Sequence, residues 1–127
     1  MIKMKKLIVV AGIAIATAGC YNDKYDKLYP ATGSVVCDTT TITYAGDISP
    51  ILTAKCNTVG CHDAATISGG YNFTTHAGTQ PGALNGKIVG CINWAAGFSA
   101  MPKNLPKLSP CEINKIARWV NQGALNN

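Results

Sequence analysis

The chain has 127 residues, enough for one small domain, and its 11 lysines and arginines against six aspartates and glutamates give a formal net charge of +5. Three of the lysines lie within the first 19 residues, so the other 108 residues carry eight basic and six acidic side chains, a net charge of +2. With no lysine or arginine cluster beyond residue 19, nucleic-acid binding is excluded from the expected functions.

The first 19 residues have the order of a secretory signal peptide. Three lysines within MIKMKK precede the ten-residue apolar run LIVVAGIAIA, and small residues lead up to Cys20. The run is too short to cross a bilayer. The stretch TAGC resembles the lipobox of bacterial lipoproteins, which implies that Cys20 receives lipid and becomes the mature N-terminus. The alternative is an ordinary signal peptide with Cys20 as a structural thiol.

Residues 20–46 are predicted to form the lipidated N-terminus, a tether and an arm. Tyr21, rather than aspartate, follows the predicted lipid attachment site, and the lipoprotein resemblance then implies the outer membrane, on its periplasmic or cell-surface side. Residues 21–34 are polar and turn-rich, as in a tether. The β-branched residues 35–44 predict either an extended segment or an irregular arm.

A first helix is predicted over residues 47–56, DISPILTAKC, because three apolar residues fall on one helical face. Asp47 or Ser49 is expected to cap this helix, and Pro50 is tolerated in its first turn.

The middle of the chain is rich in glycine. Residues 68–82 predict a loop with at most one short helical turn, near residues 74–77. Residues 83–95 predict a weak helix, because Gly86 and Gly90 both lower helix stability.

The clearest helix is predicted within residues 109–123, SPCEINKIARWVNQG. Ser109 is expected to be the N-cap, with Pro110 at the first helical position and Glu112 completing a capping box. Gly123 is placed to end the helix. The apolar face is expected to hold Ile113, Ile116, Ala117 and Val120. The elements together predict a mainly helical domain.

The strongest chemical signal is KCNTVGCHDA, in which Cys56 and Cys61 enclose four residues and His62 follows directly. A cysteine pair that ends in Cys-His is the attachment signature of c-type haem. The two thiols add to the haem vinyl groups, and the histidine supplies an axial nitrogen to the iron. The usual spacing is two residues, so we expect the two extra residues to bulge, with Gly60 providing conformational freedom.

The second axial ligand is expected to be Met101, the only methionine beyond residue 19, in the loop GFSAMPKN. A thioether opposite His62 favours ferrous iron and raises the reduction potential. His76 is the alternative distal ligand and would give a bis-histidine haem of lower potential. Met101 as a core residue that fills a packing gap is the alternative without a ligand role.

The stretches DISPILTAKCNTVGCH and SAMPKN, followed by a capped terminal helix, resemble a small class I c-type cytochrome, and more closely the lipid-anchored monohaem cytochromes of Gram-negative bacteria. The resemblance covers roughly residues 47–123. It implies an all-α, cytochrome c-like domain over residues 47–127, with three to four helices around one haem and long Gly-rich loops.

The resemblance also implies the ligands and the function. One covalent haem c would be held by Cys56 and Cys61, with His62 as the proximal and Met101 as the distal iron ligand. The family transfers single electrons, so the expected partners are other redox proteins and, through the lipid anchor, the membrane. With both axial positions of the iron filled, no position remains for a substrate, and we expect no enzymatic activity.

Other interpretations of the motif are a haem sensor or peroxidase-like protein, if Met101 does not ligate, and a haem-free structural or interaction lipoprotein with a Cys56–Cys61 disulfide. A zinc site would use Cys56, Cys61, His62 and either His76 or a further cysteine, but adjacent ligands are awkward around one tetrahedral ion. A blue-copper site has the right ligand count in His62, His76, Cys61 and Met101, although no β-sandwich is predicted.

Cys37 precedes the first helix and Cys111 opens the last one, and these helices are expected to touch. A Cys37–Cys111 disulfide would stabilise the fold by a few kcal/mol. A bridge from either cysteine to Cys91 is the open alternative.

Three bulky aromatic side chains, Trp94, Phe98 and Trp119, are expected near the pocket, with packing as their ordinary role. Lys103 and Lys107 flank the methionine loop. They are expected either to guide an acidic redox partner or to be ordinary solvated lysines.

Overall fold

The computed structural model describes residues 36–127; the predicted signal peptide, Cys20 and the tether lie outside the described residues. Over this part the chain is all-α, with four α-helices and no strand. The helices are α1 (Ser49–Lys55), α2 (His76–Leu84), α3 (Lys87–Asn93) and α4 (Pro110–Asn121), with a π-helical turn at Tyr44–Ile48 and a 3₁₀ turn at Ser68–Gly70. None of these helices is long and apolar enough to span a bilayer.

The helical segment around α1 begins earlier than the sequence predicts. Thr43 caps the π-helical turn, because its hydroxyl accepts a hydrogen bond from the Gly46 N–H (3.1 Å). The Asp47 carboxylate accepts from the Thr43 N–H (3.0 Å) in return. The prediction of Asp47 or Ser49 as the cap was wrong, because Asp47 is the acidic partner of the capping residue, four positions away. Residues 36–43 are irregular, without a strand.

Helix α2 occupies the segment that the sequence predicts to be mostly loop. Thr75 caps it by accepting a hydrogen bond from the Gly78 N–H (3.2 Å), and the helix continues through Pro81, which has no N–H to donate. The prediction of a loop over residues 68–82 was therefore wrong for its second half. Glycine and proline lower helix propensity, but tertiary packing overrides that preference here.

The packing that holds α2 requires glycine at two positions. A Cβ atom on Gly78 would overlap the carbonyl oxygen of Asn72. A Cβ on Gly82 would lie 3.0 Å from the Tyr71 ring. The backbone of α2 therefore lies in close contact with the segment that precedes this helix. The two glycines are needed for this contact and not for flexibility.

Helix α4 confirms the predicted capping box. The Ser109 hydroxyl accepts a hydrogen bond from the Glu112 N–H (3.3 Å), and the Glu112 carboxylate accepts from the Ser109 N–H (2.8 Å). The helix ends before Gly123, which has a φ of +94° as a helix-terminating glycine often does. The buried face is centred on Ile116 and Trp119, both fully buried, so Trp119 belongs to the apolar face in addition to the predicted residues.

The compact unit runs from Cys37 to Asn127 and so includes part of the predicted arm. Cys37 and Cys111 form a disulfide with a Cα–Cα distance of 5.5 Å. It closes a loop of 74 residues, which lowers the entropy of the unfolded chain and is worth about 4 kcal/mol. Lys115 also pairs with Asp47 (2.7 Å) between α4 and the π-helical turn. The core is formed by Ile42, Tyr44, Ile48, Leu52, Phe73, Ala83, Ile88, Ile92, Leu108, Ile116, Trp119 and Ala124.

We expect Gly78→Ala to destabilise the fold by about 1–3 kcal/mol, because the new methyl group would overlap the Asn72 carbonyl oxygen. Helix propensity alone predicts the opposite sign, a gain of roughly 1 kcal/mol. The matched control is Ala77→Gly at the neighbouring exposed position, which should cost about 1 kcal/mol through propensity alone. The free energies of unfolding of both variants and the wild type, measured by urea denaturation, show which effect is larger. A more stable Gly78→Ala protein would contradict the close packing.

Candidate functional site

A cavity of about 430 Å³ lies between the Cys-Cys-His segment, α3 and the loop that contains Met101. This volume is within the range of small-molecule and cofactor sites, roughly 300–1,000 Å³. All four residues predicted to bind haem, Cys56, Cys61, His62 and Met101, line the cavity. The apolar part of the lining includes Leu52, Tyr71, Phe73, Ile88 and Ile92.

The widely spaced motif folds back on itself immediately after α1. The His62 N–H donates to the Cys56 carbonyl oxygen (3.1 Å), and the Cys61 N–H donates to that of Thr58 (2.9 Å). Gly60 has a φ of +85°, a left-handed conformation that suits glycine. The two extra residues therefore form a closed, hydrogen-bonded turn, which links both ends of the motif although the spacing is four residues.

The His62 ring is held in one orientation and one tautomer. Its Nδ1 lies 3.2 Å from the backbone carbonyl oxygen of Tyr71. A carbonyl oxygen only accepts, so Nδ1 carries a proton, and Nε2 is the ring nitrogen that can offer a lone pair. The ring also stacks on Phe73, with centroids 4.4 Å apart and an interplanar angle of 26°. Metal-binding histidines usually donate their other ring N–H to a carbonyl or carboxylate in this way.

The two motif cysteines differ in exposure. Cys56 is half-buried and Cys61 is exposed, and both are free thiols. Burial, with a smaller effect from the Glu112 carboxylate, raises the pKa of the Cys56 thiol to about 11. Cys56 is therefore protonated at neutral pH. The two thiols are not joined in the disulfide that the haem-free interpretation requires, and both remain available for chemistry at the cavity.

Met101 is fixed by hydrogen bonds to both of its backbone groups. Its N–H donates to the carbonyl oxygen of Cys91 (3.1 Å), near the C-terminal end of α3. Its carbonyl oxygen accepts from the Trp94 indole N–H (2.8 Å). The half-buried methionine is thus held at the cavity wall by the end of α3. Cys91 also lines the cavity and is a free thiol.

His76 lies outside the cavity lining, at the start of α2. Its Nε2 is 2.8 Å from the carbonyl oxygen of Ala124, and its ring packs edge-on against Tyr44, with centroids 4.8 Å apart. Trp119 completes this aromatic cluster, 6.0 Å from the His76 ring. The histidine therefore joins α2 to the C-terminal segment and the core.

The zinc and copper interpretations differ in the donors that they need. The copper set includes His76, which lies outside the cavity lining, whereas the zinc set with Cys91 as its fourth donor consists of cavity-lining residues. Within residues 36–127, no three His, Cys, Asp or Glu side chains are grouped so that they could hold a metal ion.

The aromatic side chains of the cavity are not those that the sequence singled out. Trp119 is buried in the core, and Trp94 and Phe98 are nearly half-exposed, at 46% and 43%. None of these three lines the cavity, whereas Tyr71 and Phe73 do. Their spacing of two residues places both side chains on one side of an extended segment after the motif, and this spacing was the available signal.

Three lysines, Lys55, Lys87 and Lys103, line the cavity, and no aspartate or glutamate of the described chain does. Lys107 is not among the lining residues, and its ammonium group donates to the Asn93 carbonyl oxygen (2.8 Å). Of the two lysines that the sequence associated with partner binding, Lys103 alone belongs to this basic lining. Its other members come from α1 and α3.

The chain matches no protein-family model, no curated protein and no solved structure.

Proposed function

We propose that this protein is a monohaem c-type cytochrome that transfers single electrons, with a cytochrome c-like fold around one covalent haem. The observation that carries the proposal is the hydrogen bond from His62 Nδ1 to the Tyr71 carbonyl oxygen. It leaves Nε2 free as a ligand atom, on a ring that lines a cavity with two free motif thiols. A haem-free scaffold has no need of these three features together.

Each residue of the motif then has a defined role. Cys56 and Cys61 hold the haem through thioether bonds, and His62 is the proximal iron ligand. Met101 is the distal ligand, which is supported by its place in the cavity lining and by the contacts that keep His76 elsewhere. When bound, the haem supplies a one-electron iron couple, whose potential a thioether ligand raises.

The surroundings of the cavity suit electron transfer better than catalysis. The apolar part of the lining and the three lysines would raise the energy of the more highly charged oxidised state, which adds to the effect of the thioether. With His62 and Met101 both bound, no coordination position remains for a substrate. We therefore propose no enzymatic activity.

The test is expression of the full chain together with a c-type haem maturation system. We expect a sharp α band in the dithionite-reduced visible spectrum and haem staining at the mass of the protein on a denaturing gel, because thioether bonds survive denaturation. A colourless protein that is exported and folded would refute the proposal. The Cys56→Ser/Cys61→Ser double variant is the control for non-covalent haem.

The same cultures test the proposed anchor. Cys20 should carry lipid, and the leader should direct the protein out of the cytoplasm to the outer membrane. The haem stain should then be found in the membrane fraction of wild-type cells and in the soluble fraction of Cys20→Ala cells. If the haem stain of the wild type and that of the variant were found in the same fraction, this result would argue against lipidation.

Met101→Ala should lower the reduction potential by on the order of 0.1–0.2 V, within the roughly 0.8 V over which axial ligands set haem potentials. It should also let carbon monoxide bind the ferrous protein, because the sixth coordination position opens. His76→Gln is the matched control and should change neither property. If Met101→Ala leaves the spectrum and the potential unchanged, Met101 is not a ligand, and a sensor or peroxidase-like function becomes the better interpretation.

We also propose that the redox partner presents an acidic surface to the three cavity lysines, since like charges around one opening attract an oppositely charged partner. Electron exchange with a carboxylate-coated gold electrode should slow about tenfold at low ionic strength in a Lys55→Ala/Lys87→Ala/Lys103→Ala protein, and less at high salt. Lys107→Ala, which removes one lysine outside the cavity lining, should have little effect. Equal rates for wild type and the triple variant would remove these lysines from partner binding.

A further inference from the structure

Asp63 follows the Cys-Cys-His motif directly, and its carboxylate binds three backbone N–H groups. Oδ2 accepts from Gly60 (2.9 Å), and Oδ1 accepts from Ala65 (2.8 Å) and Thr66 (2.9 Å). Hydrogen bonds to an ionised acceptor are roughly twice as strong as those between neutral groups. No other described side chain accepts hydrogen bonds from the backbone N–H groups of residues 57–66.

These bonds join the chain on both sides of the Cys61–His62 dipeptide. Gly60 precedes the dipeptide, and Ala65 and Thr66 follow it. One carboxylate therefore fixes the path of the chain into and out of the two residues that must meet the haem together. Gly60 itself has a left-handed φ of +85°, which suits glycine, and its N–H donates to the Asp63 carboxylate.

We propose that Asp63 is the positioning residue of the attachment segment. It holds Cys61 and His62 in register with Cys56 before the haem is joined, and so compensates for the four-residue spacing of the cysteines. This rests on the proposed function. Each thioether forms when an S–H adds across a vinyl C=C bond: the sulfur bonds one carbon, the hydrogen ends on the other, and no oxidant is needed. The position of each thiol therefore decides whether one or two bonds form.

The variants separate the three hydrogen bonds. Asp63→Asn keeps the shape of the side chain but has one accepting oxygen, so it must lose either the bond to Gly60 or those to Ala65 and Thr66. Asp63→Ala loses all of them. Asp38→Asn is the matched control, because Asp38 accepts similar local bonds from the Thr40 N–H (2.8 Å) and hydroxyl (2.6 Å), outside the motif.

The first measurement uses the full chain as it is expressed, and its readout does not depend on the proposed function. In ¹⁵N-resolved NMR spectra, we expect amide protons on one side of the dipeptide to move upfield in Asp63→Asn and to exchange about tenfold faster, and those on both sides in Asp63→Ala. In Asp38→Asn, the Gly60, Ala65 and Thr66 amides should be unchanged. Identical spectra for these amides in wild type and Asp63→Ala would overturn the proposal.

The second measurement uses the protein matured with haem. We expect Asp63→Asn to lower the ratio of two-thioether to one-thioether protein at least about twofold, and Asp63→Ala to lower it further, because lost hydrogen bonds of this strength change conformer populations by such factors. The α band of the pyridine haemochrome and the number of alkylatable thiols both report this ratio. A purely structural role would lower the total haem yield and leave the ratio unchanged, and that result would overturn the positioning role.

A colourless wild type would refute the proposed function and, with it, the part of Asp63 in attachment. The amide measurement would still decide whether Asp63 holds the loop. Failure of the proposed function and failure of the positioning role of Asp63 therefore give different results.

Discussion

The scarcity of bulky aromatic side chains is the constraint on which this structure depends. The chain has two phenylalanines and two tryptophans but 13 glycines, so its elements gain contact area by bringing backbone close to neighbouring groups. Gly78 and Gly82 of α2 contact the segment before that helix, and Gly90 of α3 lies against the Phe98 ring. Van der Waals contact at such sites replaces the side-chain volume that a larger core would use.

This mode of packing separates a compact core from an open cavity. The aromatic cluster of Tyr44, His76 and Trp119 gathers the π-helical turn, α2 and α4 into the core. Other core side chains, including Leu52 and Ile88, also line the cavity. The domain therefore has an apolar concave surface that its own side chains do not fill, and an internal prosthetic group would supply apolar volume there.

The chemistry of the cavity follows from the ordering of its donors. His62 is fixed by a carbonyl oxygen and an aromatic ring, and Met101 by two backbone hydrogen bonds. Groups that are ordered in advance lose little conformational entropy when they bind a partner, so binding needs little rearrangement. The disulfide between Cys37 and Cys111 secures the arm to α4 without using the motif thiols, which remain free.

Short-range features could be predicted from the sequence, because the groups that create them lie within a few residues of each other. The capping box of α4 needs only Ser109 and Glu112, three positions apart, and the motif of Cys56, Cys61 and His62 is visible as a spacing. A bulge with conformational freedom at Gly60 was expected for the same local reason, and the φ of +85° at Gly60 agrees with it.

Features that depend on residues far apart in the sequence were decided by the tertiary structure. Helix α2 forms because its glycines pack against the preceding segment, although its propensity favours a loop. The carbonyl oxygen that sets the His62 tautomer belongs to Tyr71, nine positions later, and any residue type could have supplied it. His76 and Met101 were both candidate ligands by composition, and only the fold binds His76 to the carbonyl oxygen of Ala124 while Met101 faces the cavity. The sequence determines the chemistry of each side chain, but the packing of the whole chain determines which groups that side chain contacts.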